Sequence, residues 1–176
     1  MLYTRKGDNG TSGLFGTKDR LPKNSPIYEA LGTLDELNSL LGMCRARLVS
    51  YSLFQLHDAV QKSQESLFII QAELAGAEKV LPQEHVDILE NAVNSIEKLI
   101  ETPNAFVIPG ATELSGLLDY ARAVSRRTER VVVGVHTNHT ISPASLAYLN
   151  RLSSFLYAMA RYVATKAKAK ESSPSY

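Results

Sequence analysis

Residues 106–130 read FVIPGATELSGLLDYARAVSRRTER: an apolar approach, a Pro109-Gly110 turn and then the start of a helix. Leu114, Leu117, Leu118, Ala121, Val124, Val131 and Val132 recur at three- and four-residue spacing, which predicts a core-facing stripe. Asp119, Arg122, Arg126 and Arg130 fall along another side, with Glu129 flanking them. Arg122, Arg126, Arg127 and Arg130 put four cations into nine residues, with Glu129 the only carboxylate among them. Such a row repels itself unless an anion lies near, and the planar guanidinium fork suits phosphate or a buried carboxylate. A solvated face held by local ion pairs is the other reading of this helix alone. The Val131-Val132-Val133 run is β-branched but has no strand to pair with, so the helix is extended through it.

Four more helices surround this one. Ser25 as cap and Pro26 at the first helical position open helix one, with Ile27, Leu31, Leu34, Leu41, Cys44 and Leu48 as its stripe. Asp35 and Asn38 lie one turn apart among Leu34, Leu37, Leu40 and Leu41, which predicts that they are largely desolvated. Asp35 then calls either for a surface ion pair or for a partner in the arginine helix. Helix two runs from about Leu53 to Ala75 on Leu56, Val60, Leu67, Ile70 and Leu74, and Gly76 suits its end. Helix three runs from near Pro82 to about Glu101, with Val86, Leu89, Val93, Ile96 and Leu99 inward. Ser142 caps helix five, and Leu146, Leu149, Leu152, Leu156, Met159 and Val163 form its stripe. Asn150 interrupts that apolar run as a packing amide or a ligand contact, and residues 166–176 are expected to fray. Five helices with short links and no alternating strands predict an all-α, antiparallel five-helix bundle, one domain over residues 1–176. No Glu-x-x-His pair stands on any helix, which disfavours a di-iron centre.

Residues 1–24, MLYTRKGDNGTSGLFGTKDRLPKN, carry no helical period and hold Gly7, Gly10, Gly13 and Gly16. The segment reads as an N-terminal glycine-rich loop with a short extended start at residues 2–4. It is either a flexible arm or an anion cradle whose backbone N–H groups are joined by Thr4, Arg5, Lys6, Thr11, Ser12 and Lys23. No Gly-Lys-Ser/Thr opens a helix here, so it is not a Walker A loop. Residues 1–23 carry five cations against two carboxylates, whereas residues 77–101 carry two against six. The basic end is therefore the side for an anionic ligand. A net charge of +1 argues against a globally basic nucleic-acid binder. One cysteine, Cys44, excludes an internal disulfide and a Cys-cluster metal site. His136 and His139 share a polar loop with no acidic or Cys companion and make a poor metal pair. With no apolar run of bilayer length and no signal-peptide core, a soluble, cytoplasmic protein without a membrane partner is expected.

Four blocks, TRKGDNGTSGLFG (4–16), LDELNSLLG (34–42), residues 106–130 and YLNRLSSFLYAMAR (148–161), occur together and in order. In them the chain resembles the ATP:cob(I)alamin adenosyltransferases of the propanediol-utilisation type over nearly its whole length. The resemblance implies a homotrimer with active sites between subunits and ATP wrapped by the N-terminal loop through Thr4, Arg5, Lys6, Gly7, Ser12 and Lys23. It implies Arg126 and Arg130 at the phosphates and Asn150 at the nucleotide. It further implies Asp35 paired with Arg122 across the interface, Phe106 over the corrin of cobalamin, and Mg²⁺ with the triphosphate. The implied reaction is attack of Co(I), made by a separate corrinoid reductase, on C5′ of ATP with loss of triphosphate. That chemistry needs positioning and charge stabilisation, with Arg126 and Phe106 in the catalytic roles, and no protein general base. A non-catalytic ATP or corrinoid sensor is the alternative. Three positions depart from the family's habit: Ala111 follows Pro109-Gly110 where glycine is usual, Asp119 replaces a histidine and Ser154 an aspartate. Asp119 is expected to compete with Asp35 for Arg122.

Overall fold

The computed structural model describes residues 2–137 and 139–176. Among the described residues there are five helices: α1 (Pro26–Ser50), α2 (Phe54–Leu74), α3 (Gln83–Glu97), α4 (Glu113–Val135) and α5 (Pro143–Lys166). Their boundaries follow from local chemistry. Thr112 and Ser115 make a reciprocal capping box at α4, with N–H to hydroxyl distances of 3.0 and 2.9 Å. Ser142 accepts the Ser145 N–H (3.2 Å) ahead of Pro143. Ser25 makes no side-chain cap, so Pro26 with its preset φ is what starts α1. The α4 helix continues unbroken through Val131–Val133, as expected.

Three helices stop on the same device. After α1, α2 and α5, a residue in the left-handed region closes a Schellman turn: Ser52 (φ 56), Gly76 (φ 91) and Lys168 (φ 52). In each, the next N–H bonds back five residues: Leu53 to Leu48, Ala77 to Ala72 and Ala169 to Ala164. Only Gly76 was visible in the sequence, because only glycine occupies this region without steric penalty.

The helices lie side by side, with α1 against α2 and α4, and α5 against α4 and α3. Cross-links at both ends show that α1 and α4 run antiparallel. Thr128 Oγ1 lies 3.1 Å from the Thr33 carbonyl, and Arg47 pairs with Glu113 at 2.7 Å. The α2 helix clips onto the start of α5, where the Glu73 carboxylate accepts from the Ser142 N–H (2.6 Å) and from the Ser145 hydroxyl. A carboxylate there satisfies orphan donors and complements the positive end of the helix. The predicted stripes are the core: Leu34, Leu41, Cys44, Val60, Leu67, Ile70, Leu118, Leu149, Leu152 and Met159 are all sealed from solvent.

Several expectations need correction. The α3 helix ends at Glu97, not near Glu101; a tight final turn follows and Leu99 is 62% exposed rather than inward. Residues 1–24 contain an antiparallel ribbon, β1 (Thr11–Gly13) with β2 (Arg20–Pro22), and the extended residues are therefore 11–13 and 20–22 rather than 2–4. Asp35 is exposed, whereas Asn38 one turn on is buried; the leucines around Asp35 point inward and leave its carboxylate in water. Residues 166–176 are not simply frayed, because Ser172 accepts the Ile108 N–H (2.8 Å) and Glu171 reaches Arg161 (3.2 Å).

The deepest charges form a pair that the sequence reading did not anticipate. Arg161 of α5 (2% exposed) donates through Nη2 to Asp119 of α4 (4% exposed). Asp119 meets Arg161 most closely and, as expected, also engages Arg122, whose Nε stands 3.6 Å from it. Removing one member of a buried pair strands the other. Asp119→Ala is accordingly expected to lower unfolding free energy by about 3–5 kcal/mol, read from urea denaturation. Cys44 is likewise sealed, and desolvation, opposed by a backbone hydrogen bond, pushes its thiol pKa up to about 12. The native protein should resist thiol alkylation at pH 8 and be labelled at Cys44 only after denaturation.

Candidate functional site

The arginines of α4 are not equivalent in the fold. Arg127 pairs with Glu36 of α1, and Arg122 leans on Asp119. Arg126 and Arg130 are exposed, and among the described residues neither has a carboxylate within ion-pair distance. Arg122 and Arg126 line a cavity of about 310 Å³ between α3, α4 and α5, together with Glu97, Thr102, Ser154 and Tyr157. Ser154, one of the three departures, thus stands in the cavity wall as a small neutral hydroxyl.

Beside this cavity, Asn150 is exposed on α5 and tied into a polar chain. Its Nδ2 donates to Glu129 (2.8 Å), its Oδ1 accepts from Arg151 (2.6 Å), and Arg151 Nε donates to Glu90 (2.9 Å). The chain links α3, α4 and α5 and holds the amide at the edge of the arginine row.

The segment from Thr102 to Ala111 forms the rim. Thr102 and Pro103 line the cavity, and Phe106 three residues later is 80% exposed. The turn back into α4 depends on Gly110, which has φ 103, and an added Cβ on Gly116 would come within 3.2 Å of its Cα. Ala111 is not in the positive-φ region, so its methyl group fits a turn whose unusual geometry is confined to Gly110. This departure leaves the α4 start intact.

The N-terminal segment is organised by Arg20, whose role no local sequence signal announces. Its guanidinium donates to the carbonyls of Lys6 (2.7 Å) and Thr11 (2.8 Å) and to the Thr11 hydroxyl (2.9 Å). Lys23 lies over Gly7, where an added Cβ would stand 3.1 Å from its Nζ. Arg5 has φ 60, and Thr4 Oγ1 accepts the Lys6 N–H (3.4 Å). The ribbon is moored to the bundle by the Tyr28 hydroxyl, which donates to the Ser12 carbonyl (2.5 Å). Of the six predicted loop positions, Ser12 lies on the ribbon, Lys6 is tied to it through Arg20, and Lys23 follows β2 and covers Gly7, while Thr4 and Arg5 precede it in the chain. Among the described residues, no hydrogen bond or ion pair joins that ribbon to Arg126, Arg130 or Asn150. Asp35 and Arg122 are also apart within the subunit, Asp35 forming no ion pair among the described residues.

Tyr157, Arg161 and Glu171 complete the surroundings. The Arg161 guanidinium carbon stands 5.0 Å from the Tyr157 ring centre, and Tyr157 faces the cavity. Desolvation raises the Glu171 pKa, and Arg161 opposes that rise. Arg161 in the YLNRLSSFLYAMAR block was in plain view, but a cation inside an apolar stripe carries no local sign of its partner.

The description "Cobalamin adenosyltransferase" belongs to the family whose model matches residues 2–163. The chain is 40% identical to a corrinoid adenosyltransferase of Citrobacter freundii, covering 91% of this chain and 93% of that protein. It is 36% identical to the corrinoid adenosyltransferase PduO of Salmonella typhimurium, of which it spans 48%, against 91% of this chain. The fold superposes with a TM-score of 0.93 on a variant PduO-type ATP:corrinoid adenosyltransferase from Lactobacillus reuteri complexed with cobalamin and ATP. That protein is 28% identical, and both chains are fully covered. A second variant of that enzyme, complexed with ATP, gives 0.89 at 29% identity over 98% of this chain and 99% of that one.

The dependence of the rim on Gly110 is open to direct measurement. Gly110→Ala forces a Cβ into a φ of 103 and is expected to cost roughly 1–3 kcal/mol in urea denaturation.

Proposed function

This chain belongs to the cobalamin adenosyltransferase family, and from that premise we propose that it transfers the 5′-deoxyadenosyl group of ATP to cob(I)alamin. In the reaction the Co(I) electron pair forms a bond to C5′, the C5′–O bond breaks, and triphosphate leaves with its electrons. The observation that carries this reading is uncompensated charge beside a cavity. Arg126 lines it with no ion pair among the described residues, and Arg130 follows one turn later. Unpaired guanidinium groups are suited to the charge that develops on a departing triphosphate. No residue need remove a proton, so positioning and electrostatics are the protein's contribution.

In this proposal Thr4, Arg5, Lys6, Gly7, Ser12 and Lys23 hold the triphosphate, Asn150 contacts the nucleoside, and Arg126 and Arg130 meet the phosphates. Phe106 covers the lower face of the corrin and keeps water from cobalt. Its exposure in the single subunit supports that role, since a large apolar ring in water favours a cover. The separation of the ribbon from Arg126 and Arg130 supports a site completed by a neighbouring copy. We assign Asp35 of one copy to Arg122 of the next, in a homotrimer; the exposure of Asp35 leaves it available for that contact. Mg²⁺ enters as a counter-ion carried by the triphosphate. The described residues bring no three His, Cys, Asp or Glu side chains together to hold it, and no step is assigned to it. A reductase supplies Co(I), and a cytoplasmic setting is part of the same reading. Among the described residues no helix is long and apolar enough to cross a membrane.

An anaerobic assay with ATP, Mg²⁺ and chemically reduced cob(I)alamin tests the activity. Conversion to a light-sensitive alkylcobalamin spectrum with stoichiometric triphosphate is the expected result. ATP binding without conversion would sink the enzyme reading in favour of a sensor. Arg126→Lys should lose on the order of a hundredfold in kcat/KM, because a point charge cannot replace the fork. Phe106→Ala should keep ATP affinity while slowing Co–C bond formation.

A further inference from the structure

The segment that carries Phe106 is almost unsupported. Between residues 101 and 110, among the described residues, the one hydrogen bond made to another part of the chain runs from the Ile108 N–H to the Ser172 carbonyl, at 2.8 Å. Ser172 lies on the C-terminal segment, which has no regular structure of its own. It arrives there because the chain reverses after α5 through the left-handed Lys168, with Ala169 bonded back to Ala164. The reversed chain is pinned at Glu171, whose Oε1 stands 3.2 Å from Arg161 Nε. That contact is an ion pair off the hydrogen-bond line, since neither atom has a hydrogen-bond partner. It is nevertheless well shielded, with 2% of the Arg161 side chain and 20% of the Glu171 side chain exposed. Arg161 is itself immobilised from behind by Asp119 and stacked on Tyr157 at the cavity wall.

We propose that Glu171 is a positioning residue. By docking on Arg161 it holds residues 169–172 as a strap whose Ser172 carbonyl fixes Ile108, and with it the Phe106 ring two residues earlier. The inference rests on the activity proposed above for its kinetic consequence, but the strap itself is a property of the fold. The buried Asp119–Arg161 pair is the anchor, Glu171 the latch, and the Phe106 segment the load. Loss of the latch should free the aromatic ring without disturbing the ATP-binding ribbon, because among the described residues no hydrogen bond or ion pair connects the two.

The full-length protein and its Glu171→Gln and Glu171→Ala variants should be compared in two measurements. Hydrogen exchange of the peptide containing Ile108 reads the strap directly. It should be protected in the wild type and speed up by about tenfold or more in Glu171→Ala, with a smaller change in Glu171→Gln, which keeps the shape but not the charge. Steady-state kinetics with ATP and cob(I)alamin read the consequence. We expect kcat to fall about tenfold and KM for cob(I)alamin to rise, with KM for ATP and the urea midpoint unchanged. Equal exchange at Ile108 in wild type and Glu171→Ala overturns the strap whatever the kinetics show. Faster exchange with unaltered corrinoid kinetics overturns the positioning role. A wild type that exchanges slowly at Ile108 but forms no adenosylcobalamin overturns the proposed activity, and the exchange difference between variants then supports the strap by itself.

Discussion

Arg161 and Asp119 are taken out of water together, and that shared desolvation constrains everything around them. A guanidinium sealed inside a helical bundle has a large penalty unless a carboxylate meets it, and the carboxylate is equally intolerant of being left alone. The pair can form only when α4 and α5 run antiparallel in one register. That register also sets Glu129 opposite Asn150 about three turns away, and so fixes where the amide stands relative to the arginine row. Apolar stripes could slide by a turn at modest cost; an ion pair at this depth cannot. The pair's value to the fold thus lies in specifying one alignment at least as much as in net stability.

The same constraint sorts the cations of α4. Four arginines on one helix begin chemically alike and end with different tasks because each meets a different neighbour. Arg127 is spent on Glu36 and ties α4 to α1, and Arg122 shares the fringe of Asp119. Among the described residues Arg126 and Arg130 keep their charge unmatched, Arg126 in the wall of a cavity. Pairing some arginines and leaving others free concentrates positive potential where an anion would arrive, without making the whole helix repel itself. In the proposed reaction that free charge has a chemical purpose. A reaction that expels triphosphate, with the corrinoid already the nucleophile, asks for cationic anchors and shielding rather than an acid–base pair.

Where the sequence misled, local signals were silent about long-range partners. Glycine spacing suggested a loop, yet the ribbon exists because Arg20 collects three acceptors from residues distant along the segment. Ser52 and Lys168 terminate helices in the left-handed region that only Gly76 announced, because the reversal is imposed by the chain that follows. Asp35 looked buried from its leucine neighbours, but a helix shows leucines on one face and a carboxylate on the next within a single turn.

What the sequence by itself determined is whatever depends on period and local capping. The five helices, most of their inward faces, the Ser142 start and the extension of α4 through three valines follow from residue spacing and backbone chemistry. The family resemblance carried in four separated blocks was legible in the same way. Only the tertiary structure decided which charges meet. The partnership of Asp119 with Arg161, the return of Glu171 and Ser172 to the Phe106 segment, and the isolation of Arg126 and Arg130 link residues tens of positions apart. A hydrophobic residue has much the same requirement wherever it is buried, so its place shows in the pattern. A charge depends on its particular counter-charge, which is settled only when distant parts of the chain come together.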